Sequence, residues 1–85
     1  MPTISKFHGM TIYMYAEDHN PPHFHVKVEG KIVVVNIKTK RIKGFLPYNQ
    51  KRLIEAWCIL HEKELLENWN LLILGKKPYK IAPLA

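Results

Sequence analysis

At 85 residues, with 47% hydrophobic and 24% charged residues, the chain is expected to form one ordinary globular domain, long enough for a single modest core and too short for a second, with no internal repeat or low-complexity segment. Its one cysteine, Cys58, excludes an internal disulfide framework, and the apolar runs Ile32 to Val35 and Leu71 to Leu74 are far too short to span a bilayer. With no apolar N-terminal leader region, a reducing, cytoplasmic setting is expected, and the net charge of +6 favours polyanions as partners.

In chain order, Ile4 to Phe7 reads as a short strand and Met10 to Tyr15 as a firmer one, with Gly9 marking a bend or bulge between them. Asp18-His19-Asn20-Pro21-Pro22-His23-Phe24-His25 then gathers three of the five histidines around a rigid corner. Each proline fixes its own φ and pushes the preceding residue out of the helical region, so Asn20 to Pro22 should run extended. His23 to Glu29 alternates polar and apolar side chains, the period of a half-buried strand. Phe24, Val26 and Val28 should face a core, and His23, His25 and Lys27 should face away. Gly30-Lys31 fits a tight two-residue loop, with Ile32 to Ile37 returning antiparallel. That register pairs Val28 with Val33, Val26 with Val35 and Phe24 with Ile37, and sets His25 across from Asn36 and Lys27 across from Val34. Thr39-Lys40 can turn the chain into a short strand from Arg41 to Phe45, which would carry Arg41 and Lys43 to a sheet edge.

Pro47 suits a first helical turn, and Leu53, Trp57 and Leu60 recur with the spacing of an amphipathic helix from about Pro47 to His61. Beyond Glu62 the apolar set becomes Leu65, Leu66, Trp69, Leu72 and Ile73, off the first stripe, which predicts a kink or two consecutive helices. Gly75 suits a C-cap, with Lys76 and Lys77 beside the negative end of the helix dipole. Tyr79 to Leu84 should form an extended tail packed through Tyr79, Ile81 and Leu84. The expected fold is therefore α+β over residues 1–85: a small antiparallel sheet of three to five strands in about 1–45, one kinked or two consecutive helices in about 47–75, and an extended tail over 76–85.

Three readings of the chemistry remain open at this stage. Lys27, Lys31, Lys38, Lys40, Arg41, Lys43, Lys51 and Arg52 face only Glu29 in their span, whereas Glu55, Glu62, Glu64 and Glu67 crowd the helical region. A basic sheet side of this kind suits RNA or DNA, with Tyr13 and Tyr15 for stacking and Lys38, Lys40, Arg41 and Lys43 for phosphates. In a ribonuclease version, His23 and His25 would act as acid and base and Lys27 or Arg41 would stabilise charge on phosphorus. The second reading is a zinc or other divalent-metal site from His23 and His25 with His19 or Asp18 swung in by the corner. Cys58 and His61 share a helix face, but Cys58 reads better as a small buried residue and His61, one turn from Trp57, as a satisfied core imidazole. The third makes the histidine loop structural and leaves the basic face, with the apolar outer positions Ile32 and Val34, to a small cognate protein or a homodimer.

The succession Phe7-His8-Gly9, Met14-Tyr15, Asp18-His19-Asn20-Pro21-Pro22-His23-Phe24-His25, Trp57, Leu60-His61, Leu65-Leu66, Asn68-Trp69 and Ile81-Ala82-Pro83-Leu84 resembles one bacterial family, domain of unknown function four-one-six-zero. The matching motif positions are Asp18, His19, Pro21, Pro22, His23, Phe24, His25, Trp57, His61 and Trp69. Ala82 stands where the family pattern has an acidic residue, which argues against a carboxylate role in the tail. The resemblance implies a small prokaryotic protein encoded beside another short protein, a layout like a toxin–antitoxin pair, and it implies no established activity.

Overall fold

The computed structural model describes residues 3–15 and 21–84. Five strands, β1 (Thr3–Phe7), β2 (Met10–Tyr13), β3 (His23–Val28), β4 (Lys31–Asn36) and β5 (Ile42–Lys43), precede two helices, α1 (Tyr48–Leu60) and α2 (Glu62–Ile73). The strands form one antiparallel meander in the order β1-β2-β3-β4-β5, so among the described residues β1 and β5 are the edges. This is the expected α+β fold, with the expected break between two consecutive helices.

Two hairpins are closed by two-residue loops in which both residues have positive φ: His8 (48°) with Gly9 (76°), and Glu29 (49°) with Gly30 (79°). Such turns match the twist of paired strands, and glycine at the second position removes the Cβ penalty there. The second turn differs from the expected Gly30-Lys31 loop. Val28 pairs with Lys31, Val26 with Val33, Phe24 with Val35, His25 with Val34 and Lys27 with Ile32, whereas His23 is the residue across from Asn36. The register is thus two residues away from the expected one. A shift of two leaves every side chain on its own face, so Phe24, Val26, Val28, Val33, Val35 and Ile37 still line the core.

Both helices cover that inner face. Trp57 is fully buried and lies 5.3 Å from the Phe7 ring and 5.6 Å edge-on from Phe24. The buried stripe of α1 is Ile54, Trp57 and Cys58, not Leu53, Trp57 and Leu60. Leu53 is half-buried and Leu60 is exposed, because centring the face on Trp57 turns the residue three positions later toward solvent. In α2 the buried residues are Leu65, Asn68, Trp69 and Leu72; Leu66 is partly buried and Ile73 is exposed. Pro47 is the flanking residue of α1 at ψ 149°, one position earlier than expected.

His61 (φ −113°) separates the helices, and its Nδ1–H donates to the Glu64 carboxylate. Its ring lies 5.6 Å from Trp57, which makes it the satisfied core imidazole expected of it. Gly75 (φ 77°) ends α2: its N–H donates to the Leu72 carbonyl and that of Lys76 to the Leu71 carbonyl, the paired bonds of a Schellman cap. The tail is then held mainly through its backbone. Asn68, fully buried, donates from Nδ2 to the Tyr79 carbonyl and accepts from the Tyr79 N–H through Oδ1. Trp57 Nε1–H donates to the Ala82 carbonyl, and the Ile81 N–H donates to the Ile4 carbonyl on β1. Ile81 is buried and Leu84 half-buried, but the Tyr79 ring, expected to pack, is exposed.

Candidate nucleic-acid interface

The outer face of the sheet is built by register. Across one row run Tyr13, His25, Val34 and Lys43; beside it lie His23 and Asn36; on the other side lie Thr11, Lys27 and Ile32. Direct cross-strand neighbours sit about 4.5–5.5 Å apart, so each row is a set of touching side chains.

His25 is 6% exposed and Tyr13 is 4% exposed, contrary to the solvent-facing positions that alternation predicts for them. Tyr13, Tyr15 and His25 stack nearly parallel, with ring centroids 5.2 Å apart for Tyr13 and His25 and 4.6 Å for Tyr15 and His25. The Tyr15 hydroxyl reaches His25 Nε2 at 3.3 Å. Burial, and secondarily the neighbouring Tyr15, pushes the Tyr13 phenol above its ordinary pKa. This aromatic pad lies on the outer face of the sheet. It removes Tyr13 as a stacking surface for a ligand.

His23 is held differently. Its Nδ1 lies 2.8 Å from the Pro21 carbonyl oxygen, which can only accept, so Nδ1 carries the proton and the lone pair of the neutral ring belongs to Nε2. Its ring lies 5.4 Å from His25 and 4.9 Å from Trp69 of α2, which braces it where the sheet meets the helix layer.

His23 opens on a cleft of about 470 Å³ lined by Pro21, His23, Val34, Asn36, Arg41, Ile42 and Lys43. The 36–41 turn shapes its far wall. Asn36 Oδ1 accepts from the N–H groups of Lys38 and Thr39, the Asn36 N–H donates to the Arg41 carbonyl, and Lys40 (φ 64°) closes the turn with its own N–H on the Asn36 carbonyl. Arg41 and Lys43 are exposed on and beside β5. One wall of the cleft is therefore cationic, its base includes Val34, and its opposite rim carries an imidazole.

Of the residues expected to meet phosphates, Arg41 and Lys43 line this cleft and Lys38 is exposed on the adjoining turn. Lys40 does not serve there: it turns toward α2 and pairs with the Glu62 carboxylate. Among the expected catalytic residues, His23 lines the cleft, His25 lies within the aromatic pad, and Lys27 stands exposed on the row beyond it. The pair of solvent-facing imidazoles is not formed, because Tyr13 and Tyr15 cover His25. Asp18 and His19 lie outside the described residues, so the metal set of Asp18, His19, His23 and His25 is placed only for its last two members. Among the described residues no group of three or more potential metal ligands comes together. Cys58 is fully buried, its Sγ 3.6 Å from the Ile37 carbonyl, and burial pushes its thiol pKa up to about 11. It is the inert apolar residue expected. Ile32 is 53% exposed and Val34, two residues on along the same face, is half-buried in the cleft.

Val34, Asn36, Pro21 and Ile42 had no functional reading as a group in the sequence. The signal was the hairpin register, which sets Val34 beside Lys43 and His23 beside Asn36. Among the described residues no helix is long and apolar enough to cross a membrane.

Among curated proteins and among solved structures, nothing matches the chain. A family model described as domain of unknown function (DUF4160) matches residues 9–70, a span that takes in the aromatic pad and the whole cleft, and the chain belongs to that family.

Proposed function

We propose that this domain binds nucleic acid in the cleft between Pro21-His23 and β4–β5, as the nucleic-acid-contacting member of a toxin–antitoxin-like pair. The observation that carries the reading is the cleft itself, which sets Arg41 and Lys43 opposite His23 around the apolar Val34 in about 470 Å³. Two cations on one wall suit phosphate oxygens, Val34 suits the flat face of a sugar or base, and Asn36 and His23 supply hydrogen-bonding groups at the rim. Net charge of +6 adds a long-range attraction for the same ligand class. The paired gene layout implied by the family resemblance supports a small cognate protein, and exposed Ile32 beside Lys27 offers it a surface apart from the cleft.

Binding without cleavage is the favoured form. Acid–base hydrolysis of RNA by two imidazoles needs both at the substrate, and of the described histidines His23 alone lines the cleft. Backbone amide NMR shifts on titrating a short single-stranded RNA test the site. Perturbations centred on His23, Val34, Asn36 and Arg41 to Lys43 are expected, with the RNA intact on a denaturing gel. Shifts confined to α1 and α2, or none at all, would overturn the proposal.

A further inference from the structure

We infer that the bound nucleic acid is single-stranded and that it crosses the β5 edge to stack its bases on a second subsite formed by Phe45 and Tyr48. This rests on the reading of the cleft as a nucleic-acid site. Ile42 of β5 borders the cleft on the outer face, a second hollow lined with Gly44, Phe45, Leu46, Tyr48 and Lys51, and a third lined with Thr39, Arg41, Lys51 and Glu55. The three hollows thus meet around one two-residue edge strand, with Arg41 shared by the first and third and Lys51 by the second and third. A ligand leaving the cleft across Ile42 enters the second hollow, which Ile42 also lines and which holds Phe45 and Tyr48.

These two rings are 72% and 69% exposed, the most solvent-facing aromatic side chains of the described residues. Cations surround them: Arg52 donates to the Tyr48 hydroxyl at 3.0 Å, its guanidinium carbon lies 5.7 Å from the Tyr48 ring centre, and Lys51 lines the hollow between. Arg52 thereby adds positive charge beside the Tyr48 ring. Exposed aromatics within a basic surface are how proteins hold unpaired bases, whose faces stack on the rings while lysine and arginine follow the backbone. A protein partner of acidic or apolar character would use charge or area here but would not depend on ring stacking. Duplex bases are already stacked on one another and cannot reach a flat ring.

The test measures affinity for a single strand of about three nucleotides, one of about twelve, and a duplex, using wild type, Phe45→Ala, Tyr48→Ala and Tyr48→Phe, with 2-aminopurine placed along the longer strand. Both alanine variants should weaken the longer strand by at least about fivefold and relieve 2-aminopurine quenching, while leaving the short strand and any duplex affinity unchanged. Tyr48→Phe, which keeps the ring, should stay close to wild type. RNA and DNA strands run side by side separate the two sugar chemistries. If the longer strand binds through Arg41 and Lys43 yet ignores Phe45 and Tyr48, the shelf is overturned and the cleft stands. If wild type binds no strand, both fall. Thermal melting of each variant excludes unfolding as the cause of any loss.

Discussion

Removing the Asn68 carboxamide tests how the tail is fastened to the domain. Asn68 is fully buried and spends both of its polar atoms on the Tyr79 backbone, at 2.9 and 3.0 Å. In Asn68→Ala the Tyr79 N–H and C=O lose their partners. Each bond contributes about 0.5–1.5 kcal/mol net, and an orphaned buried group costs about 1–3 kcal/mol. Tyr79 is 40% exposed, so water can reach part of its backbone and the lower half of that range applies. The expected loss is therefore about 2 kcal/mol, which for a domain of this size lowers Tm by about 8–16 °C. Hydrogen exchange adds a local readout, because the Tyr79 and Ile81 amides should lose protection before those of β3 and β4. Asn68→Asp should be worse at neutral pH, since a carboxylate oxygen would face the Tyr79 carbonyl. A loss below about 0.5 kcal/mol, with Tyr79 protection unchanged, would refute the clamp.

Other expectations follow from burial and backbone geometry. The Cys58 thiol, raised to about 11 by desolvation, should resist alkylation at pH 8 until the protein unfolds, and fast labelling of native protein would contradict its burial. Because the folded-state value lies above the ordinary 9.0, the folded protein holds this proton more tightly; stability is full below pH 9 and falls as pH rises through about 11, and an alkaline titration followed by circular dichroism checks the direction. Gly44→Ala should cost more than Gly75→Ala in chemical denaturation. Both have positive φ, worth about 1–2 kcal/mol, but a Cβ on Gly44 would also meet Val33 Cγ1 at 2.9 Å, adding about 1–3 kcal/mol, whereas one on Gly75 meets nothing within 4 Å. Equal costs would contradict the close approach of Gly44 to β4.

Strand order, the helix pair and the inner face were legible because alternation and helical spacing report which way each side chain points. The turn between β3 and β4 was not. Glu29-Gly30 and Gly30-Lys31 both supply a glycine, and the two registers differ by two residues, so they bury the same side chains and the hydrophobic pattern cannot choose between them. Alternation also put His25 on the outer face correctly but could not tell that Tyr13 and Tyr15 fold over it. The cationic wall was visible as Arg41 and Lys43, yet Lys40, adjacent in sequence, is drawn 22 positions along the chain to Glu62. Pairings between separate elements, like this one or that of Asn68 with Tyr79 eleven positions on, depend on how the helices and tail dock and leave no local trace.

The most direct measurement of the central claim is the salt dependence of single-strand affinity for wild type and for Arg41→Ala/Lys43→Ala. Each phosphate neutralised on a single strand contributes about −0.7 to the slope of log affinity against log salt, so the double variant should flatten the slope by about 1.4. Between about 50 and 200 mM salt, those two residues alone account for about a sevenfold loss of affinity. Lys40→Ala, whose charge is already held by Glu62, should change the slope far less. Wild type and double variant with the same slope, or an affinity indifferent to salt, would contradict a nucleic-acid site in this cleft.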